Sequence, residues 1–263
     1  MSRIFLLALT ILVCLVAVAL YYPRGTTMVS IVPLKFLSVP SLVKQTATII
    51  FVHGLGDSGA GWHPVGEMLN QDLPHVKWIL PNAPTMPVTA NGGMTMPSWF
   101  DILSFGFDSK EDRDGMFKTM YSLNQLISAE VDAGIPASRI VLGGFSQGGA
   151  MTLLTGLTGE RKLAGLAVLS GWLPLRDTFK AMANDHIKSV PIFWGHGSAD
   201  PLVRHDLAVK STEYLRTTLG VPDAPESGEA KGLTFNTYSG VQHSVNDREL
   251  ADLKAWLKKV LPQ

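Results

Sequence analysis

The chain has 263 residues, 46% of them hydrophobic, and its 22 basic residues are balanced by 22 acidic ones. That length suits one large single-core domain, and the balanced charge leaves no electrostatic footprint for nucleic acid or another strongly charged partner. The single cysteine, Cys14, excludes an intrachain disulfide framework and a thiolate metal cluster, and it suits a reducing compartment.

The N-terminus is unlike the remainder. Ile4 to Tyr22 is apolar apart from Thr10, between Arg3 and Arg24, and is just long enough to span a bilayer. Three readings fit it. It can be a signal anchor, a signal peptide cleaved after the small-x-small run Ala17-Val18-Ala19, or a dispensable extension, with Met28 as a second start. Basic residues at both ends give no clear orientation. The anchor and extension readings are preferred to secretion. Residues 1–27 are therefore set apart from a single catalytic domain over 28–263.

From about Phe36 the pattern alternates strands and helices, which predicts an α/β domain. Thr46 to Val52 is a β-branched run that reads as a buried strand, and it ends in the glycine-rich loop His53-Gly54-Leu55-Gly56-Asp57-Ser58-Gly59. Val76 to Leu80 is a second strand, stopped by Pro81-Asn82-Ala83-Pro84. Met86 to Met96, rich in Pro, Gly, Asn and Met, reads as an irregular loop before Trp99-Phe100-Asp101. Met116, Met120, Leu123, Ile127 and Val131 fall at helical spacing, and Gly134 with Pro136 closes that helix. Leu166–Leu169 and Pro191–Trp194 are further strands, and Leu233–Tyr238 is a weaker one expected near the sheet edge. The last helix carries Leu250, Leu253, Leu257 and Val260 on one face, with Asn246 and Glu249 spaced for a capping box. Ala224 to Gly232 is polar enough for a mobile surface insertion.

Between the helix at Met116 and the strand at Leu166 stands Gly144-Phe145-Ser146-Gln147-Gly148, after the apolar run Ile140-Val141-Leu142 and before a helical stretch. Strand, tight turn, helix is the context of a G-x-S-x-G nucleophile elbow. Small residues on either side of the serine let strand and helix approach, and the helix N-terminus faces the charge that develops during attack. In hydrolases built on this turn the partners follow in the order serine, acid, histidine. Asp200 stands after the Pro191 strand and His243 after the Leu233 strand, both on turns at the sheet edge where sites are built. Of the seven histidines, only His243 follows the last strand. His53 and His196 belong to glycine turns and are expected to hold backbone, while His63, His75, His186 and His205 read as surface or structural residues. Asp101 and Asp206 are poorer acids than Asp200. The oxyanion amides fall on Gln147, after the serine, and on Leu55 in the first glycine loop.

Gly54 to Gly59 also fits G-x-G-x-x-G, but the acid of a dinucleotide fingerprint is misplaced: Asp72 precedes the second strand rather than ending it. No H-E-x-x-H, EF-hand or Walker A pattern appears, so no metal, nucleotide or other cofactor is expected.

His53-Gly54-Leu55-Gly56-Asp57, Pro97-Ser98-Trp99-Phe100-Asp101, Gly143 to Gly149, Trp172-Leu173-Pro174-Leu175 and Asp200-Pro201-Leu202-Val203 together resemble the acyl-protein thioesterases, in the phospholipase/carboxylesterase-like group of α/β-hydrolases. The resemblance runs from Thr46 to the C-terminus. It implies an α/β-hydrolase fold with a mostly parallel sheet, helices on both faces and no large cap. It implies S-acylated proteins as substrates, palmitoyl thioester cleavage by Ser146, Asp200 and His243, oxyanion amides on Leu55 and Gln147, and a cytoplasmic and nuclear location. A general carboxylesterase or lysophospholipase is the alternative activity, and a non-catalytic binding protein on the same fold stays open. The apolar N-terminus departs from that family and adds membrane association through Ile4 to Tyr22. Only about twenty residues separate the Leu169 and Pro191 strands, too few for a cap. Met94, Met96, Trp172 and Leu202 are candidates to line an acyl groove.

Overall fold

β-branched and aliphatic runs too short for helices make the sheet, and glycine turns at their carboxyl ends make the site. The computed structural model describes residues 33–104 and 110–263, which belong to one compact unit. Among the described residues the elements in chain order are β1 (Phe36–Val39), β2 (Ala47–Val52), α1 (Gly59–Asn70), β3 (Val76–Pro81), β4 (Thr85–Val88), β5 (Met94–Pro97) and α2 (Arg113–Asp132). β6 (Ile140–Phe145), α3 (Gln147–Thr158), β7 (Gly165–Leu169), α4 (Arg176–Met182), β8 (Ile192–Gly197), α5 (His205–Thr217), β9 (Leu233–Tyr238) and α6 (Asp247–Val260) follow.

Seven strands form one sheet in the order β1-β3-β2-β6-β7-β8-β9. Every pairing is parallel except β1 with β3. Burial on both faces explains why every β2 residue but Thr48 is apolar, and the Thr48 hydroxyl donates to the Glu130 carboxylate. Alternate residues feed two cores. Ile50, Val52, Ile140 and Leu142 pack with α2, α3, α4 and α5 on one face, while Ile49, Phe51, Val141 and Trp78 pack with Trp62 of α1 and Trp256 of α6 on the other. Two short segments between β7 and β8 are all that stands where a cap would be, so the fold is an α/β-hydrolase fold without a large cap.

Two expectations are corrected, and one edge strand was not foreseen. Residues 86–96 are not irregular: β4 and β5 form an antiparallel hairpin, Met86 opposite Met96, whose strand signal is hidden by Pro87 and Pro97. The edge strand β1 carried no recognisable signal because only Val39 is buried. The capping box is half made. Asn246 Oδ1 accepts from the Glu249 N–H at 2.9 Å, but the Glu249 carboxylate turns inward, its oxygens buried without a hydrogen-bond partner. The space it takes is left by Gly195, where a Cβ would meet the Glu249 carboxyl. The segment 4–22 lies outside the described residues; among those described, no helix is long and apolar enough to cross a membrane.

Candidate active site

The turn after β6 holds Ser146 at φ 54° and ψ −117°, a strained conformation for a residue with a side chain. Its amide donates to Leu169 O at 2.8 Å and its carbonyl accepts from Ala150 N at 3.1 Å, so strand and helix both fix it. Glycine is required on either side because the chains almost touch. A Cβ on Gly144 would lie 2.8 Å from Val52 O, and one on Gly148 2.6 Å from His53 O. The consequence is a hydroxyl raised at the carboxyl edge of the sheet, above the N-terminus of α3.

Two later turns meet it there. Ser198 N donates to Tyr238 O and Ala199 N to Val241 O, which ties the turn after β8 to the turn after β9. Asp200 and His243 thereby come together: His243 Nδ1 lies 2.7 Å from Asp200 Oδ2, and His243 Nε2 lies 2.9 Å from Ser146 Oγ. Asp200 Oδ1 accepts from the N–H groups of Leu202 and Val203, both at 2.9 Å. Burial alone raises the Asp200 carboxyl, but the hydrogen bond and charge of His243 and those two amides outweigh it, holding its pKa below the ordinary value. An ionised Asp200 favours the imidazole tautomer with hydrogen on Nδ1, leaving Nε2 to accept the serine proton. The Phe145 ring packs against the imidazole with centroids 4.8 Å apart.

His53 and His196 hold backbone. His53 Nε2 accepts from Ala83 N at 3.1 Å, so Nδ1 carries the hydrogen and donates to Gly54 O at 2.7 Å; burial lowers its pKa. His196 Nε2 reaches Val203 O at 2.7 Å. Asp101 fastens the hairpin by accepting from Thr89 N and Oγ1. Among the described residues, no group of His, Cys, Asp and Glu could hold a metal ion.

A mostly apolar cavity of about 160 Å³ opens on the serine, walled by Leu55, Ile102, Phe145, Trp172, Leu202 and Val203, with Ser146, His243 and Asp57 also on its lining. Of the four residues expected in an acyl groove, Trp172 and Leu202 line it, whereas Met94 and Met96 do not. Both sit on β5, where Met94 is 64% exposed and the Met96 sulfur accepts from Asn91 Nδ2 at 3.3 Å. Sequence reasoning missed the walls given by Phe145, Ile102 and Val203. Phe145 was legible in principle, as the neighbour of the serine.

A mostly parallel sheet with a serine in a strained strand–helix turn, and a histidine and a carboxylate beyond the later strands, defines a serine hydrolase of the α/β-hydrolase class. Residues 38–261 match the phospholipase/carboxylesterase family model, and the chain belongs to that family. It is 48% identical over 233 residues to acyl-protein thioesterase 1 of Cryptococcus neoformans, covering 87% of this chain and 98% of that one. Acyl-protein thioesterase 1 of Mycosarcoma maydis is 45% identical, covering 84% and 93%. Among solved structures, Arabidopsis thaliana SOBER1 superposes with a TM-score of 0.74 at 31% identity, covering 82% of this chain and 99% of that one. Acyl-protein thioesterase 2 of Zea mays gives 0.72 at 29%, covering 86% and 99%.

Proposed function

We propose that the protein hydrolyses the thioester joining a fatty acyl group to protein cysteines, in two acyl-transfer steps. His243 takes the proton of Ser146 as the hydroxyl attacks the acyl carbonyl, and Asp200 holds the imidazole tautomer and stabilises its charged form. The amides of Leu55 and Gln147 receive the oxyanion. The cysteine thiol leaves, and water deprotonated by His243 releases the fatty acid from Ser146. A thiol with a pKa of about 8.5 departs more readily than an alcohol, which asks less of the general acid.

The observation that carries this reading is the hydrogen-bonded line from Ser146 Oγ through His243 to Asp200, opening on an apolar cavity. At about 160 Å³ the cavity is below the roughly 300 Å³ of a pocket that engulfs a ligand. It would seat the carbonyl and the first part of an acyl chain, while the remainder lies over Leu202, itself 55% exposed. With no large cap above it, the acyl chain can arrive attached to a protein. Fatty-acyl thioesters and oxygen esters of graded length, compared on the purified enzyme, test this. Higher kcat/KM for long thioesters supports it, and activity confined to short soluble esters makes the enzyme a general carboxylesterase instead.

The apolar run Ile4 to Tyr22 supports a membrane tether, which would hold the enzyme where S-acylated proteins reside. Sedimentation with lipid vesicles of the full chain, but not of a chain begun at Met28, is the expected result; equal sedimentation of both, or of neither, refutes the tether. The cytoplasmic and nuclear location implied by the family resemblance stays part of this reading, to be checked by imaging the tagged full chain.

A further inference from the structure

An oxyanion site made from two elements works only if both donors are held at one separation. Here one amide belongs to Gln147 at the start of α3 and the other to Leu55 in the loop after β2. Between these two elements runs a strap, residues 97–100, which binds both. On the loop side, Pro97 O accepts from Gly56 N at 2.8 Å, and the Trp99 indole Nε1–H donates to His53 O at 2.8 Å. On the helix side, the Gln147 carboxamide commits its polar atoms to the strap. Its Oε1 accepts from Trp99 N at 2.9 Å, and its Nε2 donates to Phe100 O at 2.8 Å and to Ser98 Oγ at 3.0 Å. The Thr119 hydroxyl donates to Trp99 O and so anchors the strap to α2. Gln147 and Ser98 are fully buried, and Trp99 nearly so.

A buried polar network of this kind is fully satisfied or it is a liability, and when satisfied it specifies one geometry. An apolar side chain at 147 would fill the same space without fixing the strap. We propose that the Gln147 carboxamide and the Trp99 indole are positioning residues that set the separation of the two oxyanion amides. The inference rests on Ser146 being the nucleophile.

The test uses Gln147→Met and Trp99→Phe, each of which removes strap hydrogen bonds and keeps every backbone amide and the Ser146–His243–Asp200 line. Active sites are counted with a fluorophosphonate, so that misfolded protein drops out of kcat. A displacement of about 1 Å at such a site costs roughly 100-fold, so the expected result is a fall in kcat of more than about tenfold per titrated site. KM and the pH midpoint of kcat/KM should stay near the wild-type values. A trifluoromethyl ketone, whose carbonyl Ser146 converts to a tetrahedral oxyanion, should lose affinity by the same factor as kcat/KM. A merely structural role would lower the titrated fraction and Tm but leave kcat per site and the ketone affinity unchanged, and that result overturns the proposal. Should Gln147→Met fail to fold, Trp99→Phe decides alone by the same criteria. If wild-type protein itself does not titrate, the nucleophile reading fails and the strap falls with it; if wild type titrates and the variants match it, only the strap falls.

Discussion

Gly148→Ala probes how little room the serine turn leaves. A Cβ there would stand 2.6 Å from His53 O and closer still to Val52 O, both rigid backbone, and ordinary contact begins at 3.4 Å. Relief at Val52 O, the tighter of the two contacts, therefore needs the end of β2 and the start of α3 to part by about 1 Å or more. His53 O is also the acceptor of the Trp99 indole, and the loop beginning at His53 carries Leu55, so the shift falls on the proposed oxyanion site. A shift near 1 Å costs about 100-fold in rate, and overpacking of this size about 1–3 kcal/mol, a Tm drop of roughly 3–10 °C. The assay is kcat per fluorophosphonate-titrated site on a palmitoyl thioester, with thermal unfolding by circular dichroism. Gly156→Ala is the control: its Cβ would press on the flexible end of Leu166 in the core, so Tm should fall while kcat holds. A folded Gly148→Ala protein whose kcat stays within about threefold of wild type would refute the reasoning, since a displacement of that size should be felt.

Asp200→Asn should leave the fold intact and lower kcat by about 10⁴-fold, because an amide no longer selects the imidazole tautomer that accepts the serine proton; steady-state kinetics checks this. Trp172→Ala opens the cavity wall and should lower kcat/KM for long-chain thioesters by about tenfold while sparing short ones, as read from a chain-length series. Glu249 supplies a pH signature. Burial, with Asp252 adding to it, pushes its pKa up to about 8 from 4.5. Between those values the folded state holds the proton that the unfolded chain releases, so this group's stabilisation is lost as pH rises through that window, by up to about 1.4 kcal/mol per pH unit. Glu249→Gln removes this loss, so the Tm of the variant should gain on that of wild type from pH 5 to pH 8 in a thermal-shift series.

Much of this was legible from residue order. The Ile140 strand, the serine turn and two further strands, each ending in a turn that carries an acid or a base, can be read along the chain because parallel α/β units place successive carboxyl ends on one edge. What lay hidden depends on contacts across the sequence. Pro87 and Pro97 mask a hairpin because proline is ordinarily a strand breaker. Met94 and Met96 look like groove residues by composition, yet on the hairpin neither joins the cavity lining. Glu249 has the spacing of a capping residue, but Gly195, on a different element, opens space that draws it into the core. The Gln147 carboxamide is invisible for the same reason: its partners, Ser98 to Phe100, precede it by nearly fifty residues.

The most direct measurement is peptide mapping of a fluorophosphonate adduct alongside loss of palmitoyl-thioesterase activity in one sample. A single adduct on Ser146, forming in step with inactivation and absent from His243→Ala protein, is the predicted result. Activity that survives complete labelling of Ser146, or an adduct on another residue that tracks inactivation, would contradict it.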